Sequence, residues 1–187
     1  MFDLFLLRHG QTEWNVQGRM QGRRDSPLTA LGIAQARRQA RIVGDLLAAR
    51  PDLALYASPL GRARDTARIV FDGIPPTYDE RLAEIDVGRF TGHRIEDMRL
   101  KFPDLFPPDR LGWYDRTPGG EDFAALARRT RAFLDGLGGP AVIVTHGITL
   151  RMLRLIAMGL PMGAIGRMAV RQGAVHVVSG GRHRVLM

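Results

Sequence analysis

With 187 residues, 45% of them hydrophobic, the chain is long enough for one domain with a sizeable core and too apolar to be disordered. It has no cysteine, which excludes disulfides and thiolate chemistry and fits a reducing cytoplasm, the expected location. The net charge of +8 raises nucleic acid as a partner, but the arginines are scattered over Arg23-Arg24, Arg37-Arg38, Arg128-Arg129-Arg131 and Arg182-His183-Arg184. Solvated helix faces account for most of them, attraction of anionic substrates is the simpler use, and no nucleic-acid partner is expected.

The apolar run Phe2 to Leu7 reads as a buried strand that delivers Arg8-His9 to a turn at Gly10. Arg8 offers a fixed fork of donors for phosphate oxygens, and His9 can act as a nucleophile through an unprotonated ring nitrogen. Thr29 predicts the cap of a helix from Ala30 to Ala49, with Leu31, Ala34, Ile42, Leu46 and Leu47 facing inward. Next comes a short strand, Leu53 to Ala57, followed by Ser58 as N-cap and Pro59 at the first helical position. That arrangement places Arg62 in the opening turn, where free amides and the helix dipole already favour an anion.

The segment Arg81 to Gly88 is turn-rich and carries Glu84 and Asp86, either of which could supply a proton, with Glu84 the first choice. Phe102 to Gly120, punctuated by Pro103, Pro107, Pro108 and Pro118, predicts an irregular insertion over one end of the sheet. Trp113, Tyr114 and Glu121 lie in or beside it and could form a lid over the substrate. From Glu121 to Leu137 the apolar stripe Phe123, Leu126, Ala127, Thr130, Phe133, Leu134 and Leu137 predicts an amphipathic helix. Ala141 to Thr145 is a second continuous apolar strand, ending in His146-Gly147 and followed by a helical stretch to Met158. Gly173 to Leu186 reads as a hairpin turning at Gly180-Gly181. Alternating strands and helices predict one α/β domain over residues 1–187, a three-layer α/β/α sandwich around a mostly parallel sheet.

Arg8-His9-Gly10, Asn15, Ser58-Pro59-Leu60 with Arg62 and Thr66-Ala67, Glu84 with Gly88, and Thr145-His146-Gly147 occur in that order. On these blocks the chain resembles the histidine phosphatase superfamily, the phosphoglycerate mutase-like group. The resemblance implies that His9 is the phosphorylated nucleophile, that Arg8, Arg62 and His146 clamp the phosphate, and that Glu84 is the proton donor. Asn15, Gln21 and Gly147 are expected in the same pocket. Two arginines and a protonated His146 would meet the charge of a transferring phosphoryl group.

Within that family the chain looks more like the phosphatase branch. The mutases it resembles are longer and carry basic residues after the catalytic Glu, whereas Ile85 follows Glu84 here. A phosphate monoester is the expected substrate, with no cofactor and no metal, since neither His-Glu-x-x-His nor Cys-x-x-Cys occurs. The alternatives are a phosphoglycerate mutase and a non-catalytic phosphate- or nucleic-acid-binding protein. His93, His176 and His183 fall in no matching block and read as surface or strand histidines. The Arg8 motif follows the first residue too soon for a signal peptide, and Leu150 to Val170 is broken by Arg151, Arg154, Pro161 and Arg167, so no membrane span is expected.

Overall fold

Six strands form one sheet: β1 (Leu4–Arg8), β2 (Ala54–Ala57), β3 (Thr77–Tyr78), β4 (Ala141–Thr145), β5 (Val175–Ser179) and β6 (Arg182–Leu186), in the spatial order β3-β2-β4-β1-β5-β6. The computed structural model describes residues 2–106 and 111–187. β1, β2, β3 and β4 pair in parallel, and β5 joins antiparallel to β1 and to β6, so the sheet is mostly parallel, as the sequence predicts.

Both faces of the central strands are buried, which is why they read as unbroken apolar runs. Leu4, Leu6, Ala141 and Ile143 belong to one cluster, together with residues of α5 (Phe123–Asp135) and α6 (Gly147–Ala157). Phe5, Leu7, Val142 and Val144 belong to the other, with residues of α2 (Ala30–Ala49) and α3 (Gly61–Val70). Helices thus cover the sheet on both sides, giving the three expected layers. α5 buries Phe123, Leu126, Thr130, Phe133 and Leu134 as predicted, and the Asp122 carboxylate accepts from the Ala125 amide to start it. The hairpin also turns where expected: Gly180 and Gly181 have φ of 53° and 72°, the left-handed pair that a two-residue turn between twisted strands requires.

Two helix expectations need correction. In α2, Leu31 is 54% exposed and Ala34 is exposed, while Gly32, Ala36, Gln39 and Val43 face inward. The reason is close approach: a Cβ on Gly32 would lie 2.9 Å from the Gln11 nitrogen, so only glycine lets this helix meet the turn after β1. Gln39, buried on the same face, donates to the carbonyls of Arg8 and Ala174 at 3.1 and 3.0 Å. α3 begins at Gly61, two positions later than the Ser58-Pro59 pair suggests. Ser58 does not cap it. Instead Asp25, remote in sequence, accepts from the amides of Gly61 and Arg62 at 2.8 and 3.2 Å.

The described part of the 102–120 stretch carries short helical turns at Pro103–Leu105 and Gly112–Arg116, and Pro107 and Pro108 lie outside the described residues. An aromatic series holds the segment down: Phe90 stacks on Phe106, Phe106 on Trp113 and Trp113 on Tyr114, the last pair 3.8 Å between ring centroids. Two short helices are not anticipated from the sequence: α1 (Glu13–Val16), after the Gly10 turn, and α4 (Ile95–Lys101), which precedes the aromatic segment. Among the described residues no helix is long and apolar enough to cross a membrane.

Candidate active site

The parallel pairing of β1 with β4 puts Arg8 opposite Thr145, so the two His-Gly turns leave the sheet side by side. The His9 amide donates to the Thr145 carbonyl at 2.9 Å, and the His9 and His146 ring centroids lie 5.2 Å apart. This is the carboxyl edge of the parallel strands, where α/β sheets bind ligands. A cavity of about 240 Å³ opens there, lined by Arg8, His9, Asn15, Gln21, Arg62 and Glu84 among others. The expected residues therefore converge. His146 is fully buried beside His9, and Gly147 backs the site by lying against the Arg8 side chain, where a Cβ would come within 3.5 Å of Nε.

His9 is 3% exposed and its Nδ1 lies 2.7 Å from the Gly10 carbonyl oxygen. A carbonyl can only accept, so Nδ1 carries the proton and Nε2 keeps the lone pair. Burial, reinforced by the charges of Arg62 and Arg8, holds this imidazole well below the usual histidine range and therefore neutral. The Gly10 amide donates to Thr66 Oγ1 at 3.0 Å, and Thr66 Oγ1 donates to the Arg62 carbonyl at 2.8 Å, which ties the turn to α3.

His146 corrects one expectation. Burial, with Arg62, His9 and Arg8 nearby, pushes its pKa well down as well, so in the free protein it is neutral rather than protonated. Ser58 Oγ accepts from the Leu60 amide at 3.3 Å and lies 2.7 Å from His146 Nε2; a hydroxyl can donate to Nε2 or accept from it, so this contact orients the ring without fixing which nitrogen carries the proton. Among the described residues His146 Nδ1 has no partner, nor have the Nε atoms of Arg8 and Arg62. The two buried arginine Nε–H donors, and His146 Nδ1 when it carries the proton, suit an oxyanion.

Arg62 is held by groups the sequence did not associate with it. Nη1 donates to the Asp25 carboxylate at 2.7 Å and to the Arg24 carbonyl at 2.6 Å, and Nη2 donates to the Gly22 carbonyl at 2.9 Å. Desolvation lowers its pKa and the Asp25 charge opposes that shift. Asp65, three residues further along α3, pairs with Arg68 at 3.6 Å.

Glu84 is placed by α6 and β4. Thr145 and Thr149 donate their hydroxyls to the Leu82 and Ala83 carbonyls at 2.7 and 2.8 Å, fixing the backbone just before it. Its Oε1 accepts from the Ile85 and Thr149 amides at 3.1 Å and lies 3.1 Å from the Thr149 hydroxyl, whose one proton it shares with the Ala83 carbonyl, whereas among the described residues Oε2 accepts only from the Ile148 amide at 3.2 Å. Oε2 is thus the oxygen with spare capacity. Asp86 points elsewhere, accepting from the Gly88 amide at 2.8 Å. Asn15 Oδ1 accepts from the Thr12 amide and from Gln172, leaving its NH2 group for the pocket, and Gln21 donates to Thr12 Oγ1 at 2.8 Å.

Sequence reasoning missed Asp25, Ser58 as a histidine partner, and Arg151. Arg151 projects from α6, one helical turn beyond Gly147, and acts electrostatically on Arg8, while burial and the Glu84 charge push the Tyr114 hydroxyl pKa up. Trp113 and Tyr114 line the cavity as a lid would; Glu121 instead pairs with Arg129 at 2.6 Å. His176 and His183 lie on β5 and β6, 3.0 Å from each other; β5 pairs with β1, but neither histidine lines the cavity. Among the described residues no three His, Asp or Glu side chains are grouped so as to hold a metal ion.

A nucleophile-like histidine among cationic donors at the edge of a parallel sheet defines a phosphoryl-handling class of protein. The model of the histidine phosphatase superfamily (branch 1) matches residues 4–186, and the chain belongs to that family. A probable phosphoglycerate mutase GpmB of Yersinia enterocolitica is 34% identical over 187 residues, covering 91% of this chain and 81% of that protein. The structure of a mycobacterial glucosyl-3-phosphoglycerate phosphatase, complexed with VO3, superposes with a TM-score of 0.84 at 30% identity, covering 99% of this chain and 97% of that one. The alpha-ribazole phosphatase of Shigella flexneri gives a TM-score of 0.80 at 26% identity, covering 98% and 95%. The relatives are thus named as mutases and as phosphatases, and the chain is an enzyme of this superfamily.

Proposed function

We propose that the chain is a metal-independent phosphomonoesterase that works through a phosphohistidine on His9. The observation that carries this reading is the His9 tautomer: Nδ1 is committed to the Gly10 carbonyl, so Nε2 is a free nucleophile in a cavity with Arg8, Arg62 and Glu84. Nε2 attacks phosphorus in line with the ester oxygen. Arg8, Arg62, His146 carrying its proton on Nδ1, and the Asn15 amide take the equatorial oxygens, and charge placed there lowers the barrier without a metal. A Gln21 carboxamide turned over would accept from the Thr12 hydroxyl and add its own NH2 group to the set.

Glu84, protonated on Oε2, gives that proton to the departing alkoxide. It then takes one from the water that attacks the phosphohistidine, which restores His9 and releases inorganic phosphate. Hydrolysis is favoured over the mutase reaction because Ile85 stands where the mutases this chain resembles place a basic residue, and because phosphatases are among the well-superposed relatives. The substrate is a small phosphate monoester.

The test is turnover of a panel of phosphate monoesters in excess EDTA, with 3-phosphoglycerate included. Release of inorganic phosphate, undiminished by chelator and blocked competitively by vanadate, is expected. Rapid interconversion of 3- and 2-phosphoglycerate with little phosphate release would replace this reading with the mutase. Abolition by EDTA and rescue by a divalent ion would overturn the Arg-His clamp.

A further inference from the structure

Besides the phosphate-binding set, the cavity is lined by Met20, Val87, Ile95 and Trp113 and by one further cation, Arg19, whose exposure places it toward the opening. Three features set Arg19 apart from a solvated surface arginine. Its backbone is pinned, the amide donating to the Trp14 carbonyl at 2.8 Å and the residue bridging to Arg94. Its side chain is pinned too, Nε donating to Gln17 at 2.9 Å and Nη1 to the Gly92 carbonyl at 2.7 Å. Both partners are neutral, and among the described residues no carboxylate lies within ion-pair distance of it. A guanidinium whose geometry is already fixed, with Nη2 unengaged and its charge uncompensated, is preorganised for an anion.

The phosphate-binding set sits at the sheet edge and Arg19 at the opening of the same cavity. At about 240 Å³ that cavity is smaller than the roughly 300–1,000 Å³ typical of pockets for drug-sized ligands, so a ligand that fills it has only a short skeleton between its two ends. We propose that Arg19 is a specificity-determining residue: it binds a carboxylate at the far end of a compact phosphate monoester whose carbon skeleton lies against Met20, Val87, Ile95 and Trp113. This rests on the phosphatase reading for which end of the substrate carries phosphate. The substrates selected are therefore short phosphorylated acids, ahead of neutral alcohol phosphates of the same length.

The probe is a matched pair, 3-phosphoglycerate and glycerol 3-phosphate, in which a carboxylate is exchanged for a hydroxymethyl group. For the unaltered protein kcat/KM for the acid should exceed that for the neutral ester by about tenfold, the scale of one charge-assisted hydrogen bond. Arg19→Gln should bring the ratio close to one, Arg19→Lys should keep part of it, and added salt should erode it. A residue that only braces the loop would lower both values together and leave the ratio intact; that result, or a ratio already near one in the unaltered protein, overturns the proposal. If neither ester is hydrolysed, the phosphatase reading fails, and the same ratio is then read from dissociation constants by calorimetry, so Arg19 is still judged.

Discussion

Replacing Asp25 with alanine should damage both stability and catalysis, although this residue belongs to none of the sequence blocks that mark the family. The substitution removes a carboxylate 2.7 Å from Arg62 Nη1 and the acceptor for the first two amides of α3. Stripping one partner from a buried ion pair costs about 3–5 kcal/mol, because the other charge is left uncompensated. Here the Arg62 side chain is 1% exposed but that of Asp25 is 37%, and Arg62 retains the Gly22 and Arg24 carbonyls, so the pair contributes less than that range. Adding about 1 kcal/mol for the lost cap gives an expected destabilisation of about 2–3 kcal/mol. Urea unfolding followed by circular dichroism measures it, and kcat/KM toward p-nitrophenyl phosphate should fall at least about tenfold as Arg62 loses its orientation. Asp25→Asn keeps a capping oxygen and should lose about half as much stability. If Asp25→Ala unfolds within about 0.5 kcal/mol of the unaltered protein and turns over normally, Arg62 is not positioned by Asp25 and this account of the clamp is wrong.

Gly32→Ala should cost about 1–3 kcal/mol and lower kcat, since its Cβ would collide with the Gln11 backbone and push the His9-Gly10 turn; a melting temperature and kcat within error of the parent would contradict it. Glu84→Gln should slow phosphorylation by alkyl monoesters far more than by p-nitrophenyl phosphate, whose phenolate leaves unaided; equal losses in rapid-mixing bursts would argue against proton donation by Glu84. Stability should fall as pH drops from 6.5 to about 4. His176, buried on β5 beside His183 and Arg154, is held at a pKa of about 4 by burial and by those neighbours, so the unfolded chain takes up a proton that the fold refuses. That difference is worth about 3 kcal/mol across the window, and buried His9 and His146 act with the same sign. Urea midpoints at pH 7 and 4.5 measure the slope, which His176→Asn should flatten; an unchanged slope would mean that His176 titrates normally.

Local signals made much of this legible in the sequence. The two apolar runs ending in His-Gly identified the central parallel strands, and their adjacency brings His9 and His146 together. Arg8, Arg62 and Glu84 could be placed because each lies in a short segment with its own chemical logic, whereas Asn15 and Gln21 are expected from the family resemblance alone. Asp25 could not, because its partners lie 36 and 37 residues away and nothing in Arg24-Asp25-Ser26 announces a helix cap for another segment. The first turns of α2 were misread for a related reason, whereas Ile42, Leu46 and Leu47 pack against the core as expected. Hydrophobicity favoured Leu31, but the contact is backbone against backbone, and the residue that permits it is a glycine. The charge state of His146 depends on burial among Arg62, His9 and Arg8, which emerges only when the elements are assembled. Ser58 reads as a cap from its neighbour Pro59 and serves instead to orient His146.

The most direct test of the central claim is to trap the phosphoenzyme. After rapid mixing with a labelled monoester and quenching in base, the label should sit on His9 as a phosphoramidate, on Nε2 and not Nδ1, because Nδ1–H is bound to the Gly10 carbonyl. It should be lost in acid and absent from His9→Ala. Label on a serine, aspartate or another histidine, or full activity in His9→Ala, would contradict the mechanism.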